Sequence, residues 1–317
     1  MPSIGEIGEF SLVELFKSAS PAPEGVLGIG DDCAIIPQRD GYESLVSADM
    51  LVEGVHFLRE AISPYDLGWK SAAVNVSDIA AMGGRPKASF LSLSLPSELD
   101  AGWIKEFAAG YLELSSKYGV ALLGGDTTAS LSGICINVTV YGECPAGAAV
   151  RRDAALPGDK ICVTGTLGDS AAGLAIVKGI GAPDSVTALW LKDRHFRPTP
   201  KVEAGLRLAA TDGIGAMMDI SDGLGSDLRH ILTLSETGAV VDVNALPLSP
   251  QLRLFAENSG LDPLELALEG GEDYELLFTA RPYAEIPVPH TVIGEITGDG
   301  KLIWSGAVRE YMGYRHF

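Results

Sequence analysis

The chain has 317 residues, enough for two domains with full cores, and its 46% hydrophobic and 21% charged residues exclude a disordered or fibrous protein. Lysine and arginine number 23 against 42 aspartates and glutamates; the formal net charge of −19 argues against a nucleic-acid backbone or an anionic membrane as partner. The four cysteines make no Cys-x-x-Cys pair, no signal-peptide pattern opens the chain and no apolar run nears ~18 residues, so neither zinc nor disulfides are expected and the location is expected to be cytoplasmic.

A first helix is expected at Glu9–Ser18, followed by a loop into Gly28-Ile-Gly-Asp-Asp-Cys and a strand over Ser44–Asp49. Asp66–Met82 reads as a helix stopped by Gly83-Gly84, Ser89–Leu95 as a strand with one buried face, and Ala101–Tyr118 as a helix. Val120–Leu123 is expected to be a strand that ends at Gly124-Gly125-Asp126-Thr127-Thr128, and Ile134–Tyr141 alternates again. Around Glu143–Asp153 the pattern turns aperiodic, which places a linker there and divides the chain into domains 1–145 and 146–317. Strands are then expected at Lys160–Thr164, Ala216–Ile220, Val240–Val243, Tyr274–Thr279 and Thr291–Ile296, with helices at Asp169–Lys178, Lys201–Ala210 and Leu224–Leu234. Helices and strands alternate in both halves, so the class is α/β or mixed α+β.

Glycine is over-represented, with 38 residues clustered as Gly-Ile-Gly, Gly-Gly-Asp and Gly-Gly-Glu, and such clusters let backbone approach a ligand closely. Acidic residues recur where apolar segments end: Asp31 and Asp32, Asp49, Asp126, and Asp219 with Asp222. One such aspartate is a turn former or a helix cap; the recurrence points to hard divalent cations, which relieve carboxylate repulsion and bridge phosphates. Asp78, with Asn75 and Ser71 three and seven residues before it, makes a polar stripe on an otherwise apolar helix and so marks a buried polar site. No P-loop or protein-kinase signature is present. Arg151-Arg152 is a rare basic pair in an acidic chain, suited to a surface salt bridge or to clamping phosphate.

Read together and in order, the following segments are similar to the thiamine-monophosphate kinase family over essentially the whole chain: Gly-Ile-Gly-Asp-Asp-Cys-Ala, Asp-Met-Leu-Val-Glu-Gly-Val-His-Phe, Ala-Val-Asn-Val-Ser-Asp-Ile-Ala-Ala-Met-Gly, Leu-Gly-Gly-Asp-Thr-Thr, Thr-Gly-Thr-Leu-Gly-Asp-Ser, Asp-Ile-Ser-Asp-Gly-Leu and Gly-Gly-Glu-Asp-Tyr-Glu-Leu. That family lies in the aminoimidazole-ribonucleotide-synthetase superfamily. The resemblance implies two α/β domains, a homodimer sharing N-terminal strands, and transfer of phosphate from ATP to thiamine monophosphate with several magnesium ions.

Carried over by motif, the resemblance makes Asp32, Ser47, Asp49, Asp78, Asp126, Asp219 and Asp222 the magnesium ligands. It places ATP against Gly125, Asp126, Arg152 and Ser221, with Tyr111 a nucleotide contact that no motif anchors. Thiamine monophosphate falls to His56, Glu272 and the near-terminal Tyr314. The family commonly has Ser-Thr-Asp where this chain has Ser47-Ala48-Asp49, so only the carbonyl of Ala48 is offered to a metal. No essential general base or covalent nucleophile is expected, because a phosphate monoester with a second pKa near ~6 is already an anionic nucleophile; His56 is the rival for either role. Selenophosphate synthetases and hydrogenase-maturation proteins of the superfamily are expected to carry a reactive cysteine near one terminus, which this sequence lacks.

Overall fold

The computed structural model describes residues 16, 18–21, 23–24, 39–181, 183–306, 309 and 311–312. The Gly28–Cys33 segment with Asp32, most of the expected Glu9–Ser18 helix, and Tyr314 lie outside the described residues. Two compact units emerge, one made of Met1–Ile79 with Gly84–Gly147 and the other of Ala80–Gly83 with Ala148–Phe317.

In the first unit the strands β1 (Tyr42–Val52), β2 (Arg85–Pro96), β3 (Ala121–Ser130) and β4 (Cys135–Pro145) form one sheet in the order β1-β4-β2-β3. β4 runs antiparallel to β1 and β2, and β2 runs parallel to β3. Period-2 alternation buries one face: Ile136, Val138 and Val140 of β4 are at most 1% exposed, whereas Asn137, Thr139 and Tyr141 between them are half-buried. This unit also carries the helices α1 (Pro64–Ala81) and α2 (Ala101–Tyr118). α1 starts where the Ser63 hydroxyl accepts from the Asp66 amide at 3.0 Å and donates to the Asp66 carboxylate at 2.7 Å, with Pro64 in the first turn. The Asp100 carboxylate caps α2, and Gly119, with φ 68°, ends it.

β1 continues past Asp49 to Val52, and β3 runs through the Gly-Gly-Asp-Thr-Thr run to Ser130, so Asp49 and Asp126 lie inside strands and not at strand ends. The reason is their position in the sheet. β1 and β3 are its two edges, where polar side chains need no burial and the apolar alternation that reveals a strand fades.

The second unit is built on a six-stranded sheet of β5 (Lys160–Val163), β6 (Ile214–Asp219), β7 (Gly238–Asp242), β8 (Leu276–Ala280), β9 (Thr291–Thr297) and β10 (Leu302–Ser305). The order is β10-β7-β9-β5-β8-β6, antiparallel throughout except for the β10–β7 pair. Its helices are α3 (Asp169–Val177), α4 (Ser185–Phe196), α5 (Val202–Ala209), α6 (Leu224–Leu234), α7 (Pro250–Ser259) and α8 (Pro263–Glu269). The central strands are covered on both sides: Ile161, Val163 and Leu277 join one apolar cluster, Cys162, Leu276 and Phe278 another. This explains their unbroken apolar sequence. Cys135, Cys144 and Cys162 are free thiols. Among the described residues no helix is long and apolar enough to cross a membrane.

Candidate active site

In the first unit, the polar stripe of α1 faces the edge strand β1. Ser71 and Asn75 are fully buried and Asp78 is half-buried. The Asn75 side-chain oxygen accepts the Asp49 amide at 3.2 Å, an outward-facing N–H of an edge strand, while its amide group donates to the Ser71 carbonyl at 3.1 Å. The Ser47 hydroxyl donates to the Asp78 carboxylate at 2.5 Å, and Asn137 donates to the Asp49 carbonyl at 3.1 Å. Helix and strand are thus laced so that Ser47, Asp49 and Asp78 stand together, with exposed Ala48 between the two strand residues.

His56 lies in the turn after β1. Its Nδ1 accepts the Val52 amide at 2.9 Å, so the ring hydrogen sits on Nε2 and the imidazole is neutral in this arrangement. Presented that way, Nε2 is a hydrogen-bond donor.

Gly125 and Asp126 occupy the opposite edge of the same sheet. The register runs Asp49–Val138–Leu91–Gly125 across the four strands, which separates Asp49 from the Asp126 neighbourhood by three strand spacings, roughly 14 Å. Asp126 is exposed and accepts the Thr127 amide at 2.9 Å. A Cβ at Gly125 would lie 1.8 Å from the Leu91 carbonyl oxygen, and the residue's φ of 152° favours glycine as well. Tyr111 is part of the core: it is fully buried under β2, its hydroxyl donates to Ser89 at 2.9 Å, and burial pushes its phenol up. In this unit Tyr111 presents no surface to a nucleotide.

In the second unit, two loops clasp each other. The first follows β6 and carries Asp219, Ser221 and Asp222; the second is Gly270–Tyr274. Glu272 N donates to the Ser221 carbonyl at 2.8 Å, and Tyr274 N donates to the Ile220 carbonyl at 2.9 Å. A Cβ at Gly271 would sit 2.1 Å from the Ser221 carbonyl oxygen, so only glycine allows the approach. Glu272 and Tyr274 are held at φ 64° and 50°, a left-handed backbone that costs on the order of 1–3 kcal/mol per non-glycine residue and persists only where the surroundings enforce it. Asp219 is 3% exposed, and Ser221 and Asp222 are half-buried. Asp227, in the first turn of α6, accepts the Asp222 amide at 3.1 Å; burial first, then the charges of Asp222 and Asp219, push its carboxyl up to about 8. Arg151 pairs with Asp153, and Arg152 is exposed beside it.

Behind the Gly270–Tyr274 loop lies a buried ionic network. Asp273, 4% exposed, accepts the Gly168 amide at 2.6 Å and the Ser170 amide at 3.2 Å, anchoring the start of α3; burial pushes it up to about 8 against the pull of those donors. Glu275 accepts from the Thr164 hydroxyl at 2.7 Å, Arg194 at 3.0 Å and Lys201 at 2.9 Å. Asp169 accepts hydroxyls from Ser249 and Thr166, each at 2.5 Å, and burial raises its pKa. His195 Nδ1 stands 3.2 Å from the Glu272 carboxylate and 3.0 Å from the Ser170 hydroxyl. The sequence reading missed Arg194, His195, Lys201 and Asp227. Only Asp169, Asp273 and Glu275 had a signal, since they fall within the quoted motifs. Among the described residues, no three His, Cys, Asp or Glu side chains form a group that could hold a metal ion.

Residues 30–144 match the family model of the AIR synthase related protein N-terminal domain, and residues 157–305 match that of its C-terminal domain. Fold and paired loops thus define a two-domain protein of the AIR-synthase-related class. The thiamine-monophosphate kinase of Salmonella typhimurium is 40% identical over 98% of both chains, and that of Bacillus subtilis 37% identical over 92% of this chain and 93% of its own. Among solved structures, the thiamine-monophosphate kinase of Stenotrophomonas maltophilia K279a superposes with a TM-score of 0.83 at 38% identity, covering 95% of this chain and 98% of its own. AaThiL complexed with AMPPCP and TMP does so with 0.82 at 36% identity, covering 100% and 99%. This chain belongs to the thiamine-monophosphate kinase family. Hydrogenase maturation protein HypE in complex with ATP, at 20% identity and a TM-score of 0.76, shares the fold alone.

Proposed function

We propose that the protein phosphorylates thiamine monophosphate to thiamine diphosphate with ATP as donor. The observation that carries this reading is full-length similarity: 40% identity over 98% of the chain to a thiamine-monophosphate kinase, with every quoted motif in order.

Transfer is direct, from the γ-phosphate of ATP to the acceptor phosphate. The acceptor oxygen is already anionic at neutral pH, so no base has to deprotonate it. His56 supports this assignment: with Nδ1 engaged by the Val52 amide and hydrogen on Nε2, it is suited to donate to an acceptor phosphate rather than to take up a proton. Repulsion between two anions is the barrier, and magnesium, when bound, neutralises that charge. The carboxylates form an oxygen-only donor set that suits it. In the first unit Ser47, the Ala48 carbonyl, Asp49, Asp78 and Asp126 would serve as its ligands, with Asp32; in the second unit Asp219 and Asp222 would. Gly125, Asp126, Arg152 and Ser221 would contact ATP, and His56, Glu272 and Tyr314 the acceptor.

A homodimer fits the first unit's sheet. On the outer face of β1, Val46 and Met50 are 66% and 53% exposed with Ala48 between them, an apolar edge that a second copy would cover. Light scattering at micromolar concentration should give twice the chain mass; a monomer would count against it. The activity test is ADP release with thiamine monophosphate, with thiamine and with no acceptor, each with and without magnesium. Only the first acceptor with magnesium should respond. Incubation with γ-labelled ATP and no acceptor should leave the protein unlabelled; stoichiometric label that chases into product and is absent from His56→Asn would overturn direct transfer.

A further inference from the structure

We infer that His195 is the positioning residue that orients the Glu272 carboxylate toward the acceptor; this rests on the reading above, in which Glu272 meets thiamine monophosphate. His195 lies in the last turn of α4, a helix no family motif singled out, and is 4% exposed. Its Nδ1 faces Glu272 Oε2 at 3.2 Å. In the tautomer with hydrogen on Nδ1, the ring faces an ionised Glu272 carboxylate, which only accepts, with a donor.

The two partners differ in exposure in the way a support and a working group differ: the His195 side chain is 5% exposed and that of Glu272 26%. The ring is itself held. Ser170 Oγ lies 3.0 Å from Nδ1, and the Ser170 amide is bound by Asp273, the residue next to Glu272. Phe196 packs at 5.3 Å between ring centroids. The Glu272 backbone is fixed separately, by its left-handed φ and its amide bond to the Ser221 carbonyl. His195 adds a contact to the Glu272 side chain itself, beyond what fixes its backbone. A carboxylate oriented in this way complements an acceptor that carries a permanent thiazolium charge, so the expected effect falls on the acceptor and not on ATP.

The test is steady-state kinetics of wild type, His195→Leu, His195→Gln, Glu272→Gln and the His195→Leu/Glu272→Gln double variant, with melting curves for each. His195→Leu should raise KM for thiamine monophosphate about tenfold, the scale of a charge-assisted hydrogen bond, with KM for ATP and kcat changed by less than about twofold. His195→Gln, which keeps an N–H donor, should recover most of that loss. In the Glu272→Gln background, His195→Leu should add less than about twofold. Equal rises in both KM values, no recovery by Gln, or additive losses in the double variant would each overturn the inference. If His195→Leu does not fold, His195→Phe keeps a ring without the donor and carries the same expectation; loss of folding in both makes the ring structural and overturns it. A wild type that does not turn over thiamine monophosphate fails the functional reading and this inference with it, whereas an active wild type with any of the outcomes above fails this inference alone.

Discussion

In the first unit the candidate residues sit on regular elements and are tied by short polar bonds, Ser47 to Asp78 and the Asp49 amide to Asn75; in the second they sit on two irregular loops above buried charges. The difference shows two ways of holding a carboxylate still. On β1 the ladder with β4 already sets each side chain's direction, and one helix stripe completes the positioning. In the Gly270–Tyr274 loop no ladder exists, so a glycine approach, two left-handed residues and a network around Glu275 and Asp273 must enforce the backbone.

If that contrast is right, the most damaging change lies under the second loop. Glu275→Ala leaves Arg194 and Lys201 without their shared carboxylate and should cost about 3–5 kcal/mol, read from the urea midpoint. A cost below about 1 kcal/mol would mean the network does not hold the loop.

The pH response should come next. Asp273 has a folded pKa of about 8 against 3.8 ordinarily, so the folded state keeps a proton that the unfolded chain releases. Stability therefore falls as pH rises from about 4 to about 8, by up to about 1.4 kcal/mol per pH unit, and levels off above that. Asp273→Asn should lessen this slope whatever it does to absolute stability, the rest coming from Asp227, which is also pushed up to about 8; a wild-type urea midpoint that is the same at pH 5.5 and 7.5 would refute the assignment.

In the first unit, Asn75→Ala removes the acceptor for the Asp49 amide and should cost about 1–3 kcal/mol, less than Glu275→Ala. Reversal of that order would break the comparison. The smallest effect is expected from Glu236→Gly, an exposed position at φ 54° just past α6 and outside both clasped loops. Relief of the left-handed backbone should add about 0.5–1 kcal/mol, a rise of about 1–4 °C in Tm, with turnover unchanged. A drop in turnover would extend the strained site beyond the two loops.

Much of this was legible beforehand. α1, α2 and five of the second unit's six strands, all but β10, follow from periodicity, and the stripe of Ser71, Asn75 and Asp78 faces a polar site as its burial demanded. α4, α7 and α8 escaped the sequence reading, although each has an aspartate or serine cap, and Ser249-Pro250 and Asp262-Pro263 are cap-and-first-turn pairs. Their apolar stripes are short, so cap chemistry was the only strong signal.

By itself the sequence determined what is local: which segments bury a face, where helices begin, and, through motifs in order, the family. Tertiary structure alone decided that β1 and β3 are edges, that Asp126 stands across the sheet from Asp49, and that Arg194 meets Glu275 across 81 residues of chain. Periodicity reports how one segment faces its core. Register and ion pairing depend on how distant segments are brought together, and no local pattern records which carboxylate a buried cation will find.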